Sequence, residues 1–303
     1  MKSVYLEFYS LMEEPFSTVP SPRFFLQTRI HNMAYQKTKY TVDAHKGLAT
    51  VIGDTGTGKS TLARLLHEKF LADDYLSVLI TNPNFPTANI LLRTIMQEFG
   101  IQTQPPFKDN LDIFKNFLIT STLEHDKTIV LMIDEAQVLK PGLFELLRQL
   151  MNYETNETKL INIVLFGQDE LRNKLSDTKN KNFKSRISMA STLDKVDVTE
   201  LEKMISFRWS VASGGNTDHP FTKNALHALF KYSEGIPREV FTLADNALLA
   251  AFLDERVKVE EEVIEYVAKE RFENTNKLPK PIKKSKKELK EELKKEVIEI
   301  AKS

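Results

Sequence analysis

Nine consecutive residues, Gly53-Asp54-Thr55-Gly56-Thr57-Gly58-Lys59-Ser60-Thr61, restrict what this chain can fold into more than any others. They fit G-x-x-x-x-G-K-[ST], a phosphate-binding loop, and the flanks suit it. Leu48 to Ile52 reads as a short apolar strand, and Ser60 to Leu66 opens an amphipathic helix. A strand, a glycine-rich turn and a helix N-terminus bring backbone N–H groups and the helix dipole to one point, which favours an anion. Glycine permits positive φ and a close approach of backbone to ligand. Lys59 then sets a point charge between β- and γ-phosphates, and the Ser60 hydroxyl is a magnesium ligand. The expected ligands are a nucleoside triphosphate and Mg²⁺, with Gly53 to Thr61 as the binding residues. An ordinary glycine-rich turn is the bland alternative.

Downstream, strands alternate with helices. Leu76 to Thr81 is a second strand, and Ile90, Leu91, Ile95, Met96 and Phe99 recur at helical spacing. A further helix carries Leu111, Phe114, Leu118 and Ile119. Ile129 to Ile133 is a buried strand from whose end Asp134 and Glu135 emerge, 75 residues after Lys59. Ligand sites of open α/β sheets lie at that end of the strands. Asp134 suits the magnesium shell, and Glu135 suits orienting or deprotonating a water. Glu145 to Met151 continues a helix, and Leu160 to Phe166 makes another strand closed by Gly167 and Gln168. The Gln168 amide can hold the same water or the γ-phosphate; a solvated turn residue is the alternative. Lys174, Lys179, Lys181, Lys184 and Arg186 form a basic loop, most simply a solvated one. Arg186 can instead reach the γ-phosphate of a neighbouring subunit.

From Val198 the pattern is all helical. Leu201, Met204, Ile205, Phe207, Trp209 and Val211 make one helix, stopped by Gly214-Gly215, with Trp209 read as core. Thr222 caps a second, Pro237 starts a third and Val259 to Arg271 forms the last. Arg238 at a helix N-terminus opposes the dipole, which a facing phosphate would explain. The expected fold is therefore α/β: a P-loop NTPase with a parallel sheet flanked by helices, plus an all-helical lid domain.

Residues 1–45 form a leading strap in which Phe8, Tyr9, Phe16, Phe24 and Phe25 alternate with prolines. It either straps the core or lines the base pocket. His31 reads as a capping or packing residue. Residues 46–196 form the α/β domain, 197–274 the lid, and 275–303 a lysine-rich tail. From Lys277 onward there are ten Lys against five Glu, hidden within an overall net charge of +0. Leu289, Leu293, Val297 and Ile300 mark an amphipathic tail helix, either solvated or docked on a partner, DNA or anionic lipid. There is no cysteine, six scattered histidines disfavour zinc, and no apolar run approaches a membrane span. No leader pattern opens the chain, so a soluble, cytoplasmic protein is expected.

The ordered set of phosphate loop, Asp134-Glu135, Gln168, Arg186 and Gly235-x-Pro237-Arg238 resembles the AAA+ ATPases. More narrowly, several segments resemble the ExeA-type (general secretion ATPase A) family, with transposition-helper ATPases close by. They are Leu6-Glu7-Phe8-Tyr9-x-Leu11, Glu14-Pro15-Phe16, Pro20-x-Pro22-Arg23-Phe24, Asp134-Glu135-Ala136-Gln137 and Gly167-Gln168-x-Glu170-Leu171. That resemblance implies an ATPase with Gln168 as sensor 1, Arg186 as arginine finger and Arg238 as sensor 2. It also implies a homo-oligomer in which the arginine acts in trans. Partners would be duplex DNA with a recombinase-type enzyme or, alternatively, components of a secretion or surface system. A low-turnover nucleotide switch is the third possibility. Asp169 stands where the family usually has proline, and the 303 residues hold no membrane span or wall-binding domain. Transporter, GTPase and helicase readings fit less well. Ser213-Gly214-Gly215 lies after both motifs, Gln137 replaces the glycine of Asp-x-x-Gly, and too few residues remain for a second α/β domain.

Overall fold

The computed structural model describes residues 4–177 and 180–273. A five-stranded parallel sheet has the order β2-β3-β4-β1-β5, formed by β1 (Leu48–Gly53), β2 (Leu76–Ile80), β3 (Ile129–Ile133), β4 (Asn162–Gly167) and β5 (Ile187–Leu193). The three central strands are buried on both faces, and their alternate residues divide between two cores. Leu131, Ile133, Ile163 and Leu165 face α3 (Ala88–Glu98), α4 (Phe107–Ile119) and α5 (Pro141–Leu150). Val51, Met132, Val164 and Phe166 face α1 (Arg29–Asp43) and α2 (Lys59–Ala72). This two-sided burial is why the strands read as continuous apolar runs.

Pairing of Ile133 with Leu165 and of Ile52 with Gly167 fixes the register. The carboxyl ends of β3, β4 and β1 are therefore adjacent, and the residues that leave them share one crevice.

Two parts of the sequence reading need correction. The basic stretch is not one loop: α6 (Asp169–Ser176) and α7 (Lys181–Lys184) lie within it. Nor is Lys174 solvated, since its ammonium donates to the carbonyls of Gln137 and Leu139. Second, β5 was not expected. It is an edge strand whose burial alternates over Ile-Ser-Met-Ala-Ser-Thr-Leu, a sequence with little β-branched or aromatic content to betray it. The expected tail helix at 275–303 lies outside the described residues.

Helices α8 (Val198–Ser213), α9 (Lys223–Ser233), α10 (Pro237–Leu253) and α11 (Glu261–Glu273) enclose a separate core. The start of the leading segment packs here, whereas its α1 packs on the sheet: Tyr5, Leu6, Leu11 and Phe16 are buried among the helices. The Tyr5 hydroxyl donates to the Asp245 carboxylate. Phe16, 1% exposed, stacks parallel to Phe241 at 6.3 Å and meets Phe221 edge-on at 5.7 Å. Truncating Phe16 to alanine is expected to lower unfolding free energy by about 3–5 kcal/mol in a urea titration, the usual result of emptying an aromatic core site. A change below about 1 kcal/mol would mean the strap is not part of this core.

Candidate nucleotide site

The phosphate loop leaves β1 at Gly53 and re-enters regular structure at Lys59. Gly56 and Gly58 have φ of +87° and +98°, values open to glycine at little strain. Gly56 is also needed for space, because a Cβ there would stand 2.8 Å from the Arg238 Cβ. The helical layer thus closes on the loop, and the Arg238 backbone N–H donates to the Gly56 carbonyl at 3.2 Å.

From the other side His31 braces the loop. Its Nε2 lies 2.8 Å from the Thr57 carbonyl and its Nδ1 2.9 Å from the Thr28 hydroxyl. A carbonyl only accepts, so Nε2 carries the proton and Nδ1 accepts from Thr28. Burial pushes the His31 pKa down, which keeps the ring neutral. Packing was the expected role of His31, and the structure directs it onto the loop backbone.

Lys59 is 4% exposed, and its ammonium donates to the carbonyls of Gly53 at 2.8 Å and Asp54 at 2.7 Å. Burial lowers its pKa, against the pull of Glu135, Asp134 and Asp54. Behind it, Asp134 is 4% exposed; its carboxylate bonds the Ser60 side chain and accepts from the Glu135 backbone N–H at 2.9 Å. The two expected magnesium ligands therefore touch.

Burial is also the largest influence on Asp134, and it raises the carboxyl pKa. The sign follows: a carboxyl whose pKa is higher folded than unfolded destabilises the fold while ionised, and relief comes as pH falls through the folded value. Asp134→Asn is accordingly expected to raise the melting temperature of nucleotide-free protein at neutral pH by a few degrees, while weakening Mg²⁺-dependent binding. A fall in melting temperature would show that the hydrogen bonds to Asp134 outweigh its desolvation.

Glu135 has a left-handed backbone, φ +51°, uncommon for a non-glycine residue and found most at functional positions. Two amides hold its carboxylate: Oε2 accepts from Gln137 Nε2 and, at 3.3 Å, from Gln168 Nε2. Gln137 Oε1 in turn accepts the Gln168 backbone N–H at 3.2 Å, which fixes which way that amide points. Thr55 donates to Gln168 Oε1 at 2.9 Å, joining the phosphate loop to the tip of β4.

Thr55 to Thr61, Glu135 and Arg238 line one cleft, closed by Val19, Pro20, Phe24 and Phe25 of the strap and by Met204, Arg208 and Phe241 of the helical layer. The strap thus both packs on the helical layer and lines this cleft. Gly53 and Asp54 lie beside the cleft and supply carbonyls to Lys59, while Asp134 sits behind Ser60. Arg186 is elsewhere. It precedes Ile187, which pairs with Leu48 at the opposite end of β1 from Gly53, about 16 Å away at ~3.3 Å per residue. Its electrostatic neighbours are Glu145 and Lys159.

Sequence reasoning missed Arg208 altogether and noticed Gln137 only as part of a motif. A signal for Arg208 existed: it falls on the stripe of Leu201, Met204, Ile205 and Ala212, where a cation is out of place.

The donor set fits a magnesium-bound triphosphate: successive loop N–H groups, two cations, and a hydroxyl touching a carboxylate. Among the described residues no cluster of three or more His, Cys, Asp or Glu could hold a metal by itself, and no helix is long and apolar enough to cross a membrane.

Comparison with known proteins agrees. Residues 42–175 match the AAA domain family. The chain is 33% identical over 251 residues to General secretion pathway protein A of Aeromonas hydrophila, covering 82% of this chain and 45% of that protein. It thus spans a little under half the length of that relative. Among solved structures, Drosophila ORC bound to DNA matches with TM-score 0.65 at 14% identity, over 88% of this chain and 65% of that one. Aeropyrum pernix ORC2 gives 0.61 at 17% identity, over 85% and 71%. The RuvB branch migration motor of Thermotoga maritima gives 0.55 at 16% identity, over 81% and 72%. At these identities the structures speak to fold alone. The 33% relative narrows the family further: this chain is an ExeA-like AAA+ protein with a P-loop NTPase fold.

Proposed function

We propose that the protein is an ATPase working as an oligomeric, ATP-driven motor or switch. The observation that carries this is the meeting of Lys59, Ser60, Asp134, Glu135 and Gln168 at the adjacent ends of three strands, beneath Arg238. Loop N–H groups from Thr55 to Thr61 bind the phosphates, and Lys59 and Arg238 draw off their charge. Ser60 and Asp134 hold Mg²⁺, which when bound neutralises developing charge on the phosphate oxygens. Glu135 takes a proton from water as the water oxygen bonds to the γ-phosphorus. The bond from that phosphorus to the β–γ bridging oxygen breaks, and the electron pair leaves with ADP. Gln137 and Gln168 keep the Glu135 carboxylate aimed. Arg186, too far to reach its own cleft, is offered to the next subunit.

For the biological role, the 33% relative favours assembly of a secretion or surface system. The DNA-associated helper reading draws on the likeness to a DNA-bound ORC, which extends to fold only. Titrating labelled duplex DNA with a non-hydrolysable ATP analogue at two salt concentrations separates the two. Nucleotide-dependent binding that falls steeply with salt would reinstate the DNA reading; no binding at either salt is the result expected of an assembly ATPase.

A further inference from the structure

Arg208 is 7% exposed, yet among the described residues no carboxylate offsets its charge, and burial lowers its pKa to about 10. Such an arrangement is unfavourable unless something else compensates the cation. Part of the compensation is internal. Nη1 donates to the strap carbonyls of Ser17 at 2.9 Å and Pro15 at 3.3 Å. The guanidinium carbon sits 3.6 Å from the centroid of the Phe241 ring, with Phe24 at 5.8 Å. The guanidinium is therefore pinned through Nη1 and flanked by two aromatic rings, and it still lines the cleft.

Phosphates belong at the Thr55–Thr61 wall, with Glu135 and Arg238 at that end. The remaining wall, made by Val19, Pro20, Phe24, Met204 and Phe241, is apolar and suits a flat heterocycle. A guanidinium is planar, weakly hydrated and stacks on π-faces, which an ammonium cannot do. We infer that Arg208 recognises the base of the nucleotide, its plane stacking on a purine ring while Phe241 and the strap carbonyls hold it in place. This rests on the ATP reading and adds to it the residue that distinguishes a nucleotide from a bare triphosphate. The competing role is a purely structural tie between strap and helices.

The test is calorimetric titration, with Mg²⁺ throughout, of ATP and of ribose 5-triphosphate, which lacks the base. Wild-type protein, R208M, R208K and F241L are compared, with melting temperatures recorded without ligand. ATP affinity is expected to fall about tenfold in R208M and R208K, and by a smaller factor in F241L. Ribose 5-triphosphate affinity should stay within about twofold, so the ratio of the two affinities collapses. R208K keeps the charge and loses the plane, so a normal ratio in R208K overturns the stacking role. Equal loss of both ligands, or a fallen melting temperature with the ratio intact, also overturns it in favour of the structural tie. Wild-type protein that binds neither ligand refutes the ATP reading itself.

Discussion

Glu135→Gln is expected to leave ATP bound and to slow its hydrolysis by a factor of about 10² to 10⁴, the range that a positioned general base contributes. The substitution changes little else. Glutamine has the same length, and its carbonyl can still accept from Gln137 and Gln168, the two amides that hold Glu135 now. What it cannot do is take the proton of an attacking water. Single-turnover assays with radiolabelled ATP, beside binding measurements and thermal melts, separate chemistry from affinity and folding. Turnover within about twofold of wild type would remove Glu135 from the reaction.

Arg186→Ala is expected to be as severe, but only in assembled protein. In a single chain Arg186 lies at the amino end of β5 beside Leu48, while the phosphate loop begins at the carboxyl end of β1. It cannot serve the cleft of its own chain without unpairing an edge strand. An arginine delivered across an interface accelerates phosphoryl transfer by about 10³ to 10⁵. Wild-type turnover per subunit should therefore rise with protein concentration, and Arg186→Ala should abolish the rise while leaving ATP affinity unchanged. Mixing Arg186→Ala with Glu135→Gln provides a sharper check. Each variant alone is slow, yet a mixed assembly places the intact Glu135 of one subunit opposite the intact Arg186 of another, so activity should partly return. Turnover independent of concentration, with no recovery on mixing, would end the trans role.

The phosphate-loop end of the cleft was legible in the sequence because three local patterns there report their own geometry. A glycine-rich turn between strand and helix, an acidic pair after five apolar residues, and an amide after a glycine each require a strand end. Parallel order then brings strand ends together. The apolar end of the cleft was not legible. It is assembled from an irregular, proline-broken strap and from one face of α8 and α10, and no local spacing joins Val19 or Phe24 to Arg208 or Phe241. Strand β5 escaped notice for another reason: as an edge strand it buries few of its residues, so Met189, Ala190 and Ser191 carry no apolar alternation. Arg238 shows the value of a misfit. Its poor match to a helix N-terminus was readable from the sequence, and the structure aims the same residue at the phosphate loop.

The most direct measurement is titration calorimetry of the folded 303-residue chain with ATP and Mg²⁺ at two temperatures, since one temperature alone can coincide with zero enthalpy. Saturable association near one nucleotide per chain, abolished by Lys59→Ala and weakened when Mg²⁺ is withheld, is the predicted result. Absence of association at both temperatures, from protein whose thermal melt is intact, would contradict it and leave Glu135, Arg186 and Arg208 without a ligand to serve.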